Sequence, residues 1–85
     1  MTVPKELIFT DTCGNKHDVS NSVFVRDWIK FDEMRDKMNI DRLLDMRNRL
    51  TEMKNERNDW CNEVYYNYEI NAIDFLLSIY ASELK

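Results

Sequence analysis

The C-terminal part of the chain is the most apolar stretch, and its pattern is helical. No Gly or Pro interrupts the sequence from Trp60 to Leu84. At about 100° per residue, its polar residues fall on one narrow stripe, formed by Glu63, Asn67, Asn71, Asp74 and Ser78. The rest of this helix surface is almost entirely apolar or aromatic, whereas a surface helix of a small monomer has a single apolar stripe. The pattern therefore predicts a helix that is covered on two sides.

The first 21 residues carry strand and turn signals instead. Leu7–Thr10 is a short run of strand-forming residues, and Val19 closes a second, weaker run. The single glycine of the chain, Gly14, precedes Asn15, and this dipeptide suits a tight turn. We therefore predict a β-hairpin over residues 1–21 with its tip at Gly14–Asn15. It must pack on the helices, because an isolated two-stranded hairpin is marginal in water.

Residues 22–38 show apolar side chains at helical spacing after Ser22, a favourable N-cap. Charged residues fill most of the other positions, and the apolar ones are Phe24, Trp28, Phe31, Met34 and Met38. The spacing predicts one helix with these five residues in the core. The alternative for Val23–Val25 is a third strand, since β-branched residues lower helix preference.

Residues 39–57 continue as a second helix, with Asn39 as the expected N-cap. Apolar residues occupy the a and d positions of a heptad repeat at Leu43, Met46, Leu50, Met53, Trp60 and Val64. Two arrangements stay open. One is a continuous helix over residues 40–84, about 65 Å long, that needs a coiled-coil partner. The other is a helical hairpin turning near Asn55–Asp59, which is favoured because Arg57 would otherwise lie on the apolar seam.

The predicted fold class is mainly α, in an α+β arrangement with an N-terminal β-hairpin and two or three helices. Eighty-five residues make a single domain spanning 1–85. Its parts are the hairpin at 1–21, the first helix at 22–38, and the helical hairpin or long coiled-coil-like helix at 39–85. So short a chain buries only a modest share of its surface, which favours an oligomer.

The composition fits a cytoplasmic protein. The net charge of −4 is mild, and no apolar run approaches the roughly 20 residues that a membrane span needs. The N-terminal residues lack the basic and apolar regions of a signal peptide. Without a secretion signal, the two cysteines Cys13 and Cys61 are expected to be free thiols.

Candidate catalytic and metal chemistry is sparse. Cys13 and His17 form a C-x₃-H half-site to which Cys61 is the one further candidate ligand, whereas a metal site needs three or four ligands at defined spacing. A hairpin tip also offers no pocket for a nucleophile and its base. Motifs such as a Gly-rich phosphate loop or H-E-x-x-H are absent from the sequence. We therefore predict no metal, no cofactor and no enzymatic activity.

Nucleic-acid binding is the main alternative from another functional class. Residues 26–57 contain nine basic and eight acidic residues, so their net charge is only +1. The two signs are interleaved, which favours a solvated mixed-charge face over a phosphate-binding one. The candidate nucleic-acid contacts are Arg35, Arg42, Arg47, Arg49 and Lys54.

Two apolar faces can be assigned on the C-terminal helix, and the rest of the chain is expected to cover only one of them. The second face, centred on Ile70, Ile73 and Leu77, carries the main functional prediction. Tyr and Trp are enriched at protein interfaces, where an apolar body and a polar tip are both useful. The predicted interaction surface consists of Trp60, Tyr65, Tyr66, Tyr68, Ile70, Ile73, Leu77, Tyr80 and Leu84. Symmetric self-association commonly covers such a face, so a homodimer is expected ahead of a different protein partner or a small-ligand pocket between helices.

These features together predict a non-enzymatic protein–protein interaction protein that binds and regulates or inhibits another macromolecule. Asn is abundant, Gln is absent and Ala occurs only twice, a bias that suits an AT-rich genome. Phages and mobile elements often have such genomes, so a viral or mobile-element modulator of a host system is the expected setting. The alternatives are a nucleic-acid-binding regulator and a small helical ligand-binding protein.

Overall fold

The computed structural model describes residues 3–56 and 60–83 of the chain. A mainly α fold with an N-terminal hairpin is confirmed. The described elements are β1 (Ile8–Thr10), β2 (Lys16–Asp18), α1 (Val23–Lys30), α2 (Asp32–Lys37), α3 (Ile40–Glu56) and α4 (Trp60–Glu83). None of these helices combines the length and apolar character required to cross a membrane.

The hairpin forms where the sequence predicts it. β1 and β2 pair antiparallel with Phe9 opposite His17. Gly14 adopts a φ of +87° at the tip, a conformation that glycine reaches without the steric penalty of a Cβ. Its N–H donates to the carbonyl of Asp11 at 3.0 Å. The hairpin is confirmed, but its tip is Thr12–Gly14 and not Gly14–Asn15, because the carbonyl of Asn15 already accepts from the N–H of Asp11 at 3.0 Å.

The hairpin also rests on the helices, as its small size requires. Val19, directly after β2, is fully buried, and Leu7 and Phe9 pack against the core. The N–H of Val19 donates to the carbonyl of Leu7 at 2.9 Å, which extends the pairing beyond the short strands.

The single helix predicted over residues 22–38 is wrong, because the chain breaks at Phe31. α1 does begin after Ser22, whose Oγ accepts a 3.5 Å hydrogen bond from the N–H of Val25, so this part is not a third strand. Phe31 is extended, with φ −112° and ψ 110°, and α2 starts at the next residue. Its ring is 48% exposed, so its predicted place in the core is also wrong.

Arg35 gives the physical reason for this break. Its Nη1 donates to the carbonyls of Trp28 and Ile29 at 2.8 and 2.6 Å. In a continuous helix these carbonyls would accept the backbone N–H groups of Asp32 and Glu33 instead. The charges agree with two short helices, since Lys30 lies in the last turn of α1 while Asp32 and Glu33 lie in the first turn of α2.

The second half of the chain is a helical hairpin rather than one long helix. Asn39 caps α3 as predicted, with its Oδ1 accepting from the N–H of Arg42 at 2.9 Å. α3 packs on α4, and Nε of Arg47 on α3 lies 2.7 Å from Oδ1 of Asp74 on α4. The predicted turn and seam positions at 57–59 lie outside the described residues.

α4 lies at the centre of the fold and is covered on two sides, as its pattern predicts. α3 packs on one side of it, and α1 and β1 pack on another. Ala72, Ile73 and Leu76 of α4 are completely buried. The chain itself therefore supplies both covers. The expectation that it leaves the face centred on Ile70, Ile73 and Leu77 uncovered is wrong.

Buried hydrogen bonds connect the N-terminal half to α4. Nε1 of Trp28 donates to the hydroxyl of Tyr80 at 3.0 Å, and that hydroxyl donates to the carbonyl of Arg35 at 2.8 Å. Nearer the hairpin, Oγ of Ser22 donates to Oε2 of Glu69 at 2.8 Å. Glu69 is only 3% exposed, and it lies off the polar stripe of α4. α1 is thus joined to α4 by a polar contact near each of its ends.

Replacing Tyr80 by Phe removes the hydroxyl that links Trp28 to Arg35. The buried indole N–H then lacks its acceptor, and we expect a loss of about 1–3 kcal/mol in the free energy of unfolding. Urea denaturation followed by Trp fluorescence measures this loss. The matched control is Tyr65→Phe on the same helix, where the exposed side chain should leave stability unchanged within about 0.5 kcal/mol. Equal stability of the two variants would contradict the role given to Tyr80.

Candidate interaction surface

The structure places three of the predicted interaction residues inside the core. Ile73 is completely buried, and Tyr66 and Tyr80 are nearly so. The hydroxyl of Tyr80 also hydrogen-bonds to Nε1 of Trp28 and to the carbonyl of Arg35. The prediction that these three residues lie on an uncovered face is wrong, because α1, α3 and the hairpin together cover more of α4 than its sequence suggests.

Three further predicted residues are only partly accessible. Tyr68, Ile70 and Leu77 are half-buried, and the hydroxyl of Tyr68 accepts a 3.0 Å hydrogen bond from the N–H of Asn21. Tyr65, by contrast, is 54% exposed. The side chain of Trp60 and all of Leu84 lie outside the described residues. Among the predicted interaction residues with described side chains, Tyr65 is therefore the one that belongs to the open surface.

A more continuous apolar surface runs along the other side of α3. Three adjoining hollows lie between α1–α2, α3 and the start of α4, with volumes of about 540, 380 and 430 Å³. The first two share Met34 and Met38, and the last two share Phe24 and Met46. We call this surface the methionine groove, and define it by Phe24, Met34, Met38, Met46, Met53 and Tyr65.

Methionine is concentrated in this groove to an unusual degree. The chain has five methionines including Met1, and the other four all line it. Methionine side chains are unbranched and polarisable, so a surface rich in them can adapt to different apolar ligands. Met53 is 42% exposed, which is high for so apolar a side chain.

Sequence reasoning missed this groove because its members fit a core pattern. Met46 and Met53 occupy heptad positions, yet Met46 is half-buried and Met53 is exposed, whereas Leu43 and Leu50 of the same series are buried. The available signal was the choice of residue. Within this heptad series, the two Leu positions are buried and the two Met positions are more open.

Charged residues of both signs also line these hollows, and in the first hollow they are six of the nine lining residues, namely Asp27, Lys30, Asp32, Glu33, Lys37 and Arg42. Asp27 lies on the α1 side, and Arg42, Asp45 and Arg49 lie on the α3 side. Nε of Arg49 is 3.2 Å from Oδ2 of Asp45, and both side chains are largely exposed. Such a surface pair contributes little to stability. These charges can instead select the orientation of a bound partner.

The candidate nucleic-acid contacts do not form a common basic face. Arg35 is directed into the protein, toward the carbonyls at the end of α1 and toward Asp32. Arg47 pairs with Asp74 of α4, and Arg49 pairs with Asp45. The structure thus engages three of the five proposed contacts in internal bonds, and Arg42 lines the groove between acidic neighbours.

The hairpin tip holds the other side chains considered for chemistry. Oδ1 of Asp11 accepts from the N–H groups of Cys13 and Asn15 at 2.9 Å each, and Oδ2 lies 2.9 Å from Nε2 of His17. These bonds, that with His17 first, lower the pKa of Asp11 below its usual 3.8. Cys13 is an exposed free thiol. Among the described residues, no group of three or more His, Cys, Asp or Glu side chains is placed to hold a metal ion.

Comparison of the chain with protein families, with curated proteins and with solved structures finds no match. The function of the methionine groove is therefore inferred from its own residues, their exposure and their charges.

The Asp11 interactions predict a pH-dependent contribution to stability. Since the pKa of Asp11 is lowered by folding, its contribution is fully present above pH 3.8 and is lost as the pH falls through the lowered value. Thermal unfolding of the wild type and Asp11→Asn, followed from pH ~5 to ~2, measures it. The wild type should be more stable at the upper end, and the difference should shrink as the pH falls. A difference that stays constant with pH would contradict this assignment.

Proposed function

We propose that this chain is a non-enzymatic protein–protein interaction protein that binds its partner in the methionine groove and thereby regulates or inhibits it. The observation that carries the proposal is the grouping of four methionines with Phe24 and Tyr65 along three adjoining hollows. Extended apolar surfaces rimmed by polar residues mark interaction sites in soluble proteins. Phe24, Met38 and Met46 also pack against the core, so the side chains of the groove that are most open to a partner are Met53 and Tyr65, which are 42% and 54% exposed.

The proposed occupant is an amphipathic helix of another protein. A helix docks in a groove through apolar side chains at i, i+3 or i+4, and i+7. Methionines adapt to the shape of those side chains. The second and third hollows offer the apolar contacts, and the charged residues that line the first hollow complement a helix whose polar face also carries both signs.

Self-association is the second candidate, and the open end of the helical hairpin supports it. Val64 and Tyr65 of α4 are 52% and 54% exposed, and Tyr65 lines the groove together with Met53 of α3. A second copy could pack its own α4 start against this end. The face around Ile73 does not support a homodimer, because Ile73 is buried. We therefore favour a different protein over a second copy of this chain as the partner.

A pair of matched substitutions on α3 tests the groove. Met53→Glu places a charge inside it, whereas Leu44→Glu places the same charge on the same helix at a residue that lines none of the three hollows. The two native side chains are 42% and 44% exposed, so neither change disturbs the core more than the other. We expect Met53→Glu to weaken partner binding by about 30-fold, the effect of losing a contact worth ~2 kcal/mol.

The measurement is capture from a lysate of the source cells by wild type, Met53→Glu and Leu44→Glu, followed by affinity measurement with the captured protein. The partner should bind wild type and Leu44→Glu equally and bind Met53→Glu poorly. Light scattering on the free proteins tests the second candidate, since a dimer that Met53→Glu dissociates identifies a second copy as the occupant. Equal binding by all three proteins would remove the groove as the interaction site.

A further inference from the structure

The break between α1 and α2 at Phe31, here called the Phe31 corner, interrupts a sequence whose spacing predicts one continuous helix. No Gly or Pro occurs between residues 23 and 37, so the sequence offers no ordinary cause for a sharp break. Phe31 is nevertheless extended, and its apolar ring is about half exposed. Conflicts of this kind between local and global preference are most common at functional or strained sites.

The guanidinium of Arg35 occupies the acceptors that a straight helix needs. An uninterrupted helix would pair the carbonyl of Trp28 with the N–H of Asp32, and that of Ile29 with the N–H of Glu33. Both carbonyls instead accept from Nη1 of Arg35, at 2.8 and 2.6 Å. Bent and straight forms therefore satisfy the same two carbonyls with different donors.

Several contacts hold Arg35 in this position. Its side chain is only 16% exposed, pairs with Asp32, and lies with Cζ 5.9 Å from the centre of the Trp28 ring. Its own carbonyl accepts the hydroxyl of Tyr80 at 2.8 Å, which ties α2 to α4. The bend thus depends on one side chain and on its anchor to the central helix.

We propose that the Phe31 corner is a two-state element, bent while Arg35 occupies the two carbonyls and straight when Arg35 leaves them. In the straight form residues 23–37 make one helix of about 22 Å. Met34 and Met38 then move with α2 relative to α3, which changes the width of the methionine groove. A ligand that prefers one width shifts the population of the two forms. This consequence for the groove rests on the proposed function, whereas the change at Phe31 does not.

The experiment is NMR spectroscopy of the free full-length protein with Arg35→Ala. The secondary ¹³Cα shift of Phe31 should be negative in the wild type, as for an extended residue, and positive in Arg35→Ala, as for a helical one. The methyl resonances of Met34 and Met38 should shift with it. The control Lys37→Ala removes an exposed cation from the same helix and should keep the negative shift. A folded Arg35→Ala protein whose Phe31 stays extended would overturn the proposal.

A second pair of variants keeps Arg35, so this test does not require that the protein folds without the Arg35 side chain. Phe31→Ala favours the straight form, and Phe31→Gly disfavours it. The population of the straight form is measured by ¹⁵N relaxation dispersion at Asp32 and Glu33. We expect a population about fivefold higher with Ala than with Gly, from their difference in helix propensity. Equal populations would overturn the proposal. Neither measurement involves a partner, so failure here and failure of the groove substitution at Met53 are distinguishable.

Discussion

The fold depends on the hydroxyl of Tyr80, which joins three elements at one buried point. It accepts from the indole of Trp28 on α1 and donates to the carbonyl of Arg35 on α2, while its own backbone belongs to α4. Both polar partners are thereby satisfied in a region where an unpaired donor costs several times what a formed bond contributes. Without this bridge, α1 and α2 would be tied to the rest of the protein mainly by apolar packing, which does not fix their angle.

The angle between α1 and α2 in turn creates the surface that we interpret as functional. Because the chain bends at Phe31, Met34 and Met38 face Met46 across an open space instead of continuing the line of α1. A small chain of this kind covers its central helix first and has few elements left to close further faces. The methionine groove lies at the edge of the core, with Phe24, Met38 and Met46 packed against the core and Met53 more exposed.

In the second polar contact between α1 and α4, one side chain again has two roles. Oγ of Ser22 both caps α1 and donates to the buried carboxylate of Glu69, so one side chain starts a helix and fixes it to the core. A buried acid paired with a hydroxyl specifies one register of α1 on α4 more strongly than apolar contacts can. The sequence pattern does not reveal this pair, because Ser22 and Glu69 are 47 residues apart and each has an ordinary local role.

The sequence by itself determined the features that depend on local spacing. Gly14 located the hairpin tip, Ser22 and Asn39 located two helix starts, and the apolar surface of α4 predicted that it would be covered on two sides. Only the tertiary structure decided which partners provide the cover, why Phe31 is extended, and that Ile73 is buried while Met53 is open. These outcomes depend on contacts between residues distant in the chain, such as Arg47 with Asp74 and Trp28 with Tyr80. Helical periodicity indicates which side chains share a face of a helix. It does not indicate which other element packs against that face.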